Sequence, residues 1–366
     1  MDARQNASPT LFSDPNVAFM VQARSAVNVA AAVTALLVCI ASAPGVIRWL
    51  ERRAVLDVPV ARSSHAVPTL RGGGISPAVG CLSATALLVL LGTGAPVVAV
   101  AAVASAFGLV GLADDLYNVP ARSRLAAQVA IALLASGAAV LITEPGGTLL
   151  GLLIVGIGAI WLVGYVNGFN FMDGINGISS VQALVAGLSW VAVGRWEDEP
   201  AVTAAGVVVA AGAAGFLPFN FPRARMFLGD VGSYFLGAWL AMSALIGVSL
   251  GISPVAMGAP LALYLADTSI TLARRALRRE PLTEAHRSHA YQRLVVHGWS
   301  HARVTVTVGA VIGACSLVGL AAVGRDWLGQ LVGGAMIAAM AGAFIFLPTV
   351  LRGSQVPSRP TSHEGQ

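Results

Sequence analysis

Apolar residues run through this chain in long blocks, and charged residues cut those blocks into windows of nearly regular length. A helix crossing a hydrocarbon core of ~30 Å needs about 20 predominantly apolar residues, and the windows fit that length. Residues 24–48, 124–144, 144–173, 173–195, 199–223, 303–325 and 326–352 each hold one span. Residues 71–114 have room for two, with GTGAP at 92–96 as the hairpin, and residues 230–267 hold two shorter ones around GVSLGISP at 247–254. The pattern predicts an all-α, polytopic membrane protein of about eleven transmembrane helices. It has a single transmembrane domain over residues 26–350, after an N-terminal tail at 1–25. The stretch 351–366 is rich in Ser, Pro and Gly and reads as a disordered tail.

Composition agrees with the windows. The chain is 56% hydrophobic and 11% charged over 366 residues, which excludes an ordinary soluble protein. All 22 basic residues are arginine, and against 17 acidic ones they leave a formal charge of +5. On a membrane protein that balance points to the anionic cytoplasmic leaflet and to phosphate-bearing ligands. No stretch reads as a binder of nucleic acid. Once the spans alternate sides, only Arg4, Arg24, Arg195 and Arg325 fall on one face, so the positive-inside rule places the other face in the cytoplasm. The N-terminus is then outside and the C-terminus cytoplasmic. Arg48, Arg52 and Arg53 follow the first apolar run and anchor it, so that run reads as a retained span and not a cleaved signal. Cys39, Cys81 and Cys315 lie inside apolar runs without metal-like spacing and read as core. The scattered glycines and alanines read as close helix packing.

The same alternation places Asp57, Asp114, Asp115, Asp173, Asp230 and Asp267 on the cytoplasmic face near span ends. Ionisable residues there are costly and tend to face a site. The run NGFNFMDGINGISS at 167–180 offers oxygen donors, and Asn167, Asn170 and Asp173 stand three apart, on one face if the run is helical. A hard cation such as magnesium takes a few oxygen ligands from protein and the rest from water and phosphates. The loop LDVPVARSSHAVPTLRGGG at 56–74 carries Arg62, His65 and Arg71 and ends in three glycines whose amides can approach an anion. In GLADDLYNVPARSRLAAQ at 111–128, Asp114 and Asp115 are adjacent carboxylates that need a cation or an arginine beside them to ionise together. Asp230, between Gly229 and Gly232 in NFPRARMFLGDVGS at 220–233, reads as a helix N-cap or a metal ligand. The longest inner loop, 268–300, holds His286, Arg287 and His289. No third zinc ligand stands nearby, so phosphate or sugar contact is the preferred reading.

Taken in order, these five motifs resemble the polyprenyl-phosphate N-acetylhexosamine-1-phosphate transferases, a superfamily that includes the phospho-N-acetylmuramoyl-pentapeptide transferase. The resemblance spans about residues 45–300. HRSHAYQRL, where other members have a run of adjacent histidines, is similar to the branch that starts O-antigen or related surface glycans. PTLRGGG departs from the commoner Pro-Thr-Pro form. Family lysines after the aspartate pair are replaced by Arg122 and Arg124, which keep the charge and change donor geometry.

The resemblance implies transfer of an N-acetylhexosamine 1-phosphate from a UDP-sugar to undecaprenyl phosphate or a similar polyprenyl phosphate. UMP is released, in the first membrane step of cell-surface glycan or cell-wall polymer synthesis. It implies a plasma-membrane enzyme with a cytoplasmic site that uses Mg2+, with Mn2+ as the alternative hard ion, and it leaves room for a homodimer. Carried over by motif, Asn170 and Asp230 are the metal residues, and Asp114, Asp115 and Asp173 the catalytic ones. Arg62, His65, Arg71, Arg122, Asn167, His286, Arg287 and His289 would bind substrate. A CDP-alcohol phosphotransferase is excluded because Asp173-Gly174 lacks the Ala-Arg pair its signature needs. A lipid-phosphate transporter or an inactive family member is the remaining rival; the missing internal repeat argues against the first and the intact acidic positions against the second.

Overall fold

The structure is a computed structural model and describes residues 15–57, 67–143, 149–281 and 287–353. In chain order its helices are α1 (Pro15–Arg53), α2 (Ile75–Leu90), α3 (Ala95–Tyr117), α4 (Ala121–Thr143), α5 (Leu149–Met172), α6 (Ile178–Trp196) and α7 (Pro200–Asn220). They continue with α8 (Gly229–Ser249), α9 (Pro254–Gly258), α10 (Ala262–Leu277), α11 (Ala290–Val296), α12 (His301–Ala321) and α13 (Trp327–Gly353). The protein is all-α and polytopic, and every apolar window contains a helix. Among the described residues, nine helices are long and apolar enough to cross a membrane, α9 and α10 counting together as Pro254–Leu277. The remaining windows are filled by α2, at 16 residues shorter than the length rule asks, and by α4, which opens on Arg122 and Arg124.

Three details differ from the pattern. α1 begins at Pro15, inside the stretch read as a tail. α10 runs past Asp267 to Leu277, so that aspartate sits within a helix and not at a span end. A small sheet also forms, with strand order β1 (Leu56–Asp57), β2 (Thr69–Arg71), β3 (Met226–Phe227). β2 pairs antiparallel with β1 and parallel with β3, in a register that sets Arg71 opposite Phe227. Runs this short carry no readable alternation, and their pairing joins residues far apart in the chain.

The centre of the bundle is α8. Of its apolar window 83% is enclosed by protein, against 22% for α1 and 33% for α5. It packs on α3, α5 and α7, while α6 pairs with α7 and α12. The outward residues of α5, among them Leu152, Leu153, Ile157 and Ile160, are exposed, as suits a surface facing hydrocarbon. Two buried indoles find partners inside the bundle, as a lipid setting favours: the Trp239 indole donates to the Ala205 carbonyl at 3.1 Å, and Trp190 to the Met257 carbonyl at 3.1 Å. At its N-terminal end α8 is gripped by backbone. A methyl group on Gly74 would lie 2.1 Å from Gly232 Cα, and one on Gly111 would lie 2.1 Å from the Asp230 carbonyl oxygen. Glycine is needed there because any side chain would push the first turn of α8 away from α2 and α3.

Candidate active site

The first turn of α8 is reached through Gly229, whose φ of +73° places it in the left-handed region. The first amides of a helix have no partner within it. Here they find one on α3: Asp230 N–H donates to Asp115 Oδ1 at 3.0 Å and Val231 N–H to Asp115 Oδ2 at 2.9 Å. Asp115 also receives Arg71 Nε at 2.7 Å. Both of its oxygens are thus engaged, and its side chain is 1% exposed. It holds the start of α8 and presents nothing to solvent.

Asp230, capped in this way, becomes the hub. Its Oδ1 receives Arg71 Nη2 at 2.8 Å and Asn170 Nδ2 at 3.0 Å, and its Oδ2 receives Arg124 Nη1 at 2.9 Å. The same Arg124 nitrogen donates to Asp114, and to the Tyr234 hydroxyl at 3.3 Å. Asn170 also donates to Ser233 Oγ at 2.8 Å. Carboxylates from α3 and α8 therefore lie beneath arginines from β2 and α4, whose side chains are 34% and 26% exposed. An arriving anion meets guanidinium edges first, the groups best suited to phosphate. Burial works against the charge on Arg71, but the Asp230 and Asp115 carboxylates more than offset it and hold its pKa above the ordinary arginine value.

Other predicted residues fall differently. Asn167 and Asn170 share α5 but diverge, since Asn167 donates to Gln128 Oε1 of α4 at 2.7 Å and to the Val163 carbonyl at 2.8 Å. The helix stops at Met172, so Asp173 begins the following loop. Burial pushes the Asp173 carboxyl up to about 7, with the Asp230 charge adding to the shift. Arg122 is exposed on the first turn of α4, and Arg124 is the one that joins the cluster. Two of the three glycine amides expected to meet an anion are engaged elsewhere: Gly73 N–H donates to the Phe227 carbonyl and Gly74 N–H to the Leu228 carbonyl, both at 2.8 Å. Arg287 is exposed, whereas His289 is 1% exposed and stands 3.4 Å from Asp267 through Nδ1. Arg62, His65 and His286 lie outside the described residues.

α11 ties the late histidine stretch to this centre. The Tyr291 hydroxyl donates to the Phe171 carbonyl at 3.0 Å, and a methyl group on Gly174 would fall 2.1 Å from that hydroxyl oxygen. Ser233 and Tyr234 escaped sequence reasoning, while Arg124 and Asp267 were singled out there without a role in the site. For Asp267 a signal existed, because an acidic residue within an apolar run is expensive and calls for a partner.

Among the described residues, no three His, Cys, Asp or Glu side chains are arranged to enclose a metal ion. Magnesium does not require such a cage; it binds through one or two carboxylates and keeps water and phosphate oxygens as its other ligands. The oxygen-rich set of Asp230, Asp114 and Asn170 fits that chemistry.

A family model described as glycosyl transferase family 4 matches residues 97–248, which contain Asp114, Asp115, Asn170, Asp173 and Asp230. The chain is 30% identical over 321 residues to the decaprenyl-phosphate N-acetylglucosaminephosphotransferase of Mycolicibacterium smegmatis, covering 74% of this chain and 76% of that protein. It is 29% identical over 301 residues to a probable undecaprenyl-phosphate N-acetylglucosaminyl 1-phosphate transferase of Bacillus subtilis, covering 78% and 82%. With the phospho-N-acetylmuramoyl-pentapeptide-transferase of Desulforudis audaxviator it shares 31% identity over 261 residues, covering 62% and 75%.

Proposed function

Because this chain belongs to glycosyl transferase family 4, we propose that it transfers an N-acetylhexosamine 1-phosphate from a UDP-sugar to a polyprenyl phosphate and releases UMP. The observation that carries the reading is the cluster at the start of α8, where Asp114, Asp115 and Asp230 lie under Arg71 and Arg124. In the reaction a non-bridging oxygen of the lipid phosphate attacks the sugar-bearing phosphorus. A new P–O bond forms as the bond to the bridging oxygen breaks, and that oxygen departs with UMP. Two anions must approach each other, so the site has to neutralise charge before anything else. Arg71 and Arg124 supply fixed positive charge at the rim.

A phosphate monoester has a second pKa of about 6 and is already largely dianionic at neutral pH, so the nucleophile needs no strong base. Asp114 orients Arg124 against the lipid phosphate. Asp115 supports the start of α8. Asp230 and Asn170 would hold Mg2+, or Mn2+ in its place, and the ion would add Lewis-acid stabilisation of phosphoryl charge. Asp173 and the late stretch with Arg287 and His289 face the nucleotide-sugar. The arginine distribution supports a site on the cytoplasmic side of the plasma membrane, with the N-terminus outside. The relatives' names make N-acetylglucosamine the first sugar to test, and membrane-step initiation of a surface or wall polymer the biological setting.

The test is UMP release from UDP-N-acetylglucosamine by membranes carrying the protein, with added polyprenyl phosphate and Mg2+, beside Asp230→Ala. Release that depends on the lipid, the metal and Asp230 supports the reading. Membranes that release no UMP from any UDP-N-acetylhexosamine would overturn it.

A further inference from the structure

The Arg124 side chain bridges two helices of different character. α4, which carries it, packs on α5 and α3 and borders the hydrocarbon, with Leu125, Leu133 and Leu134 exposed. α8, which receives it, is the most enclosed of the apolar spans. Asp230 and Tyr234 stand four apart on α8 and so share a face of it. Arg124 lies across both: its Nη1 donates to Asp230 Oδ2 at 2.9 Å and to the Tyr234 hydroxyl at 3.3 Å, besides Asp114.

These acceptors do not act alike. A carboxylate pulls on a guanidinium mainly through its charge, over distance and with little directional preference, and it cancels part of the charge that an arriving phosphate must feel. Three carboxylates, Asp114, Asp115 and Asp230, already face two guanidiniums in this cluster. A phenol oxygen is neutral, and its hydrogen bond depends steeply on distance and angle, so it fixes where Nη1 sits without reducing its charge. The Tyr234 ring is 2% exposed, so the packing of α8 sets the place of that oxygen. The other end of the bridge is set as well. Gln128, one turn along α4 from Arg124 and 1% exposed, accepts from Asn167 of α5 at 2.7 Å, which holds the stretch of α4 that carries Arg124. The Arg124 side chain keeps 26% of its surface exposed, so a guanidinium held on its inner side by α8 still meets an anion on its outer side.

We propose that Tyr234 is a positioning residue for the acceptor: its hydroxyl fixes the place from which the Arg124 guanidinium meets the lipid phosphate. The proposal rests on the reading of Arg124 as a partner of that phosphate given above. It assigns Tyr234 no contact with substrate.

The test uses the purified full-length protein and measures the Kd for polyprenyl phosphate, together with the KM values of UMP release in the presence of Mg2+. Tyr234→Phe removes the hydroxyl and keeps the ring. The Kd and KM for polyprenyl phosphate are expected to rise about fivefold, the factor that one ordinary hydrogen bond represents, while the KM for UDP-N-acetylglucosamine and the thermal midpoint stay unchanged. Beside Arg124→Gln the change should add nothing, because the hydroxyl acts through the guanidinium. Wild-type lipid affinity in Tyr234→Phe overturns the proposal, as do losses that multiply in the double variant or a rise in the nucleotide-sugar KM alone. A lower thermal midpoint with unchanged lipid affinity also overturns it, since that marks packing alone. A wild-type protein that binds polyprenyl phosphate yet releases no UMP would overturn the reaction, and the binding measurements would still decide this proposal. A wild-type protein that binds no polyprenyl phosphate overturns both.

Discussion

Two helices in this protein start on a carboxylate that belongs to another helix, and their surroundings differ. At α8 the capping residue is Asp115 of α3, which accepts two amides and shares Arg71 with Asp230. At α11 it is Asp267 of α10, which accepts one amide and faces His289. The first cap sits under two half-exposed arginines, so its charge belongs to a network that opens to solvent and anions. The second is sealed, with the His289 imidazole 3.4 Å away. One device therefore serves two purposes. Beside fixed guanidinium charge it stabilises a helix start and organises an anion-binding rim, whereas in a sealed setting it stabilises a helix start away from solvent.

If the α8 start is the charged centre of transfer, Asp230→Ala should have the largest effect, lowering turnover by at least about a hundredfold. The measurement is UMP release by protein that still elutes as folded material. Next comes Arg124→Gln, expected to reduce kcat/KM for the phosphate substrates by about tenfold or more, since a charge-assisted contact is worth roughly 1.5–3 kcal/mol. The matching Arg122→Gln should change the rate by less than about twofold, because exposed charges away from a partner contribute little. Comparable losses in both would break the contrast between the two arginines.

Asp115→Ala tests the cap itself. Two amides lose their acceptor, so thermal stability should fall by about 1–3 kcal/mol per unpaired buried group. Asp114→Asn should instead reduce turnover without that loss of stability. Equal melting temperatures for the two variants would place both aspartates in the same role.

A further effect concerns pH. The folded-state carboxyl of Asp173 is raised to about 7 from 3.8, so its favourable contribution is fully present below about pH 4 and disappears as pH rises through 7. In substrate-free protein, Asp173→Asn should gain thermal stability relative to wild type as pH goes from 5 to 8. A constant difference across that range would show that Asp173 titrates normally.

Much of the candidate cluster was legible in the chain, for reasons that particular residues show. Asp114, Asp115, Asn170 and Asp230 stood out because acidic or amide side chains interrupt apolar windows, and a bilayer makes each such interruption costly. Arg122 and Arg124 could not be told apart, since residues two apart on a helix turn point to different sides and either could face inward. The run of three glycines after Arg71 suggests donors to an anion, yet the Gly73 and Gly74 amides donate to the Phe227 and Leu228 carbonyls, and the missing side chain of Gly74 makes room for α8. A close backbone approach leaves no mark in a sequence beyond the glycine itself.

Hydropathy settled the number of windows, the helical class and the membrane setting without help from coordinates, because span length and the cost of buried charge are properties of the chain and its solvent. Which carboxylate caps a helix and which one serves as hub are decided by contacts between residues as distant as Asp115 and Asp230. Those contacts exist only when helices pack, and the direction of a side chain at a packed surface depends on the neighbouring helix as much as on its own.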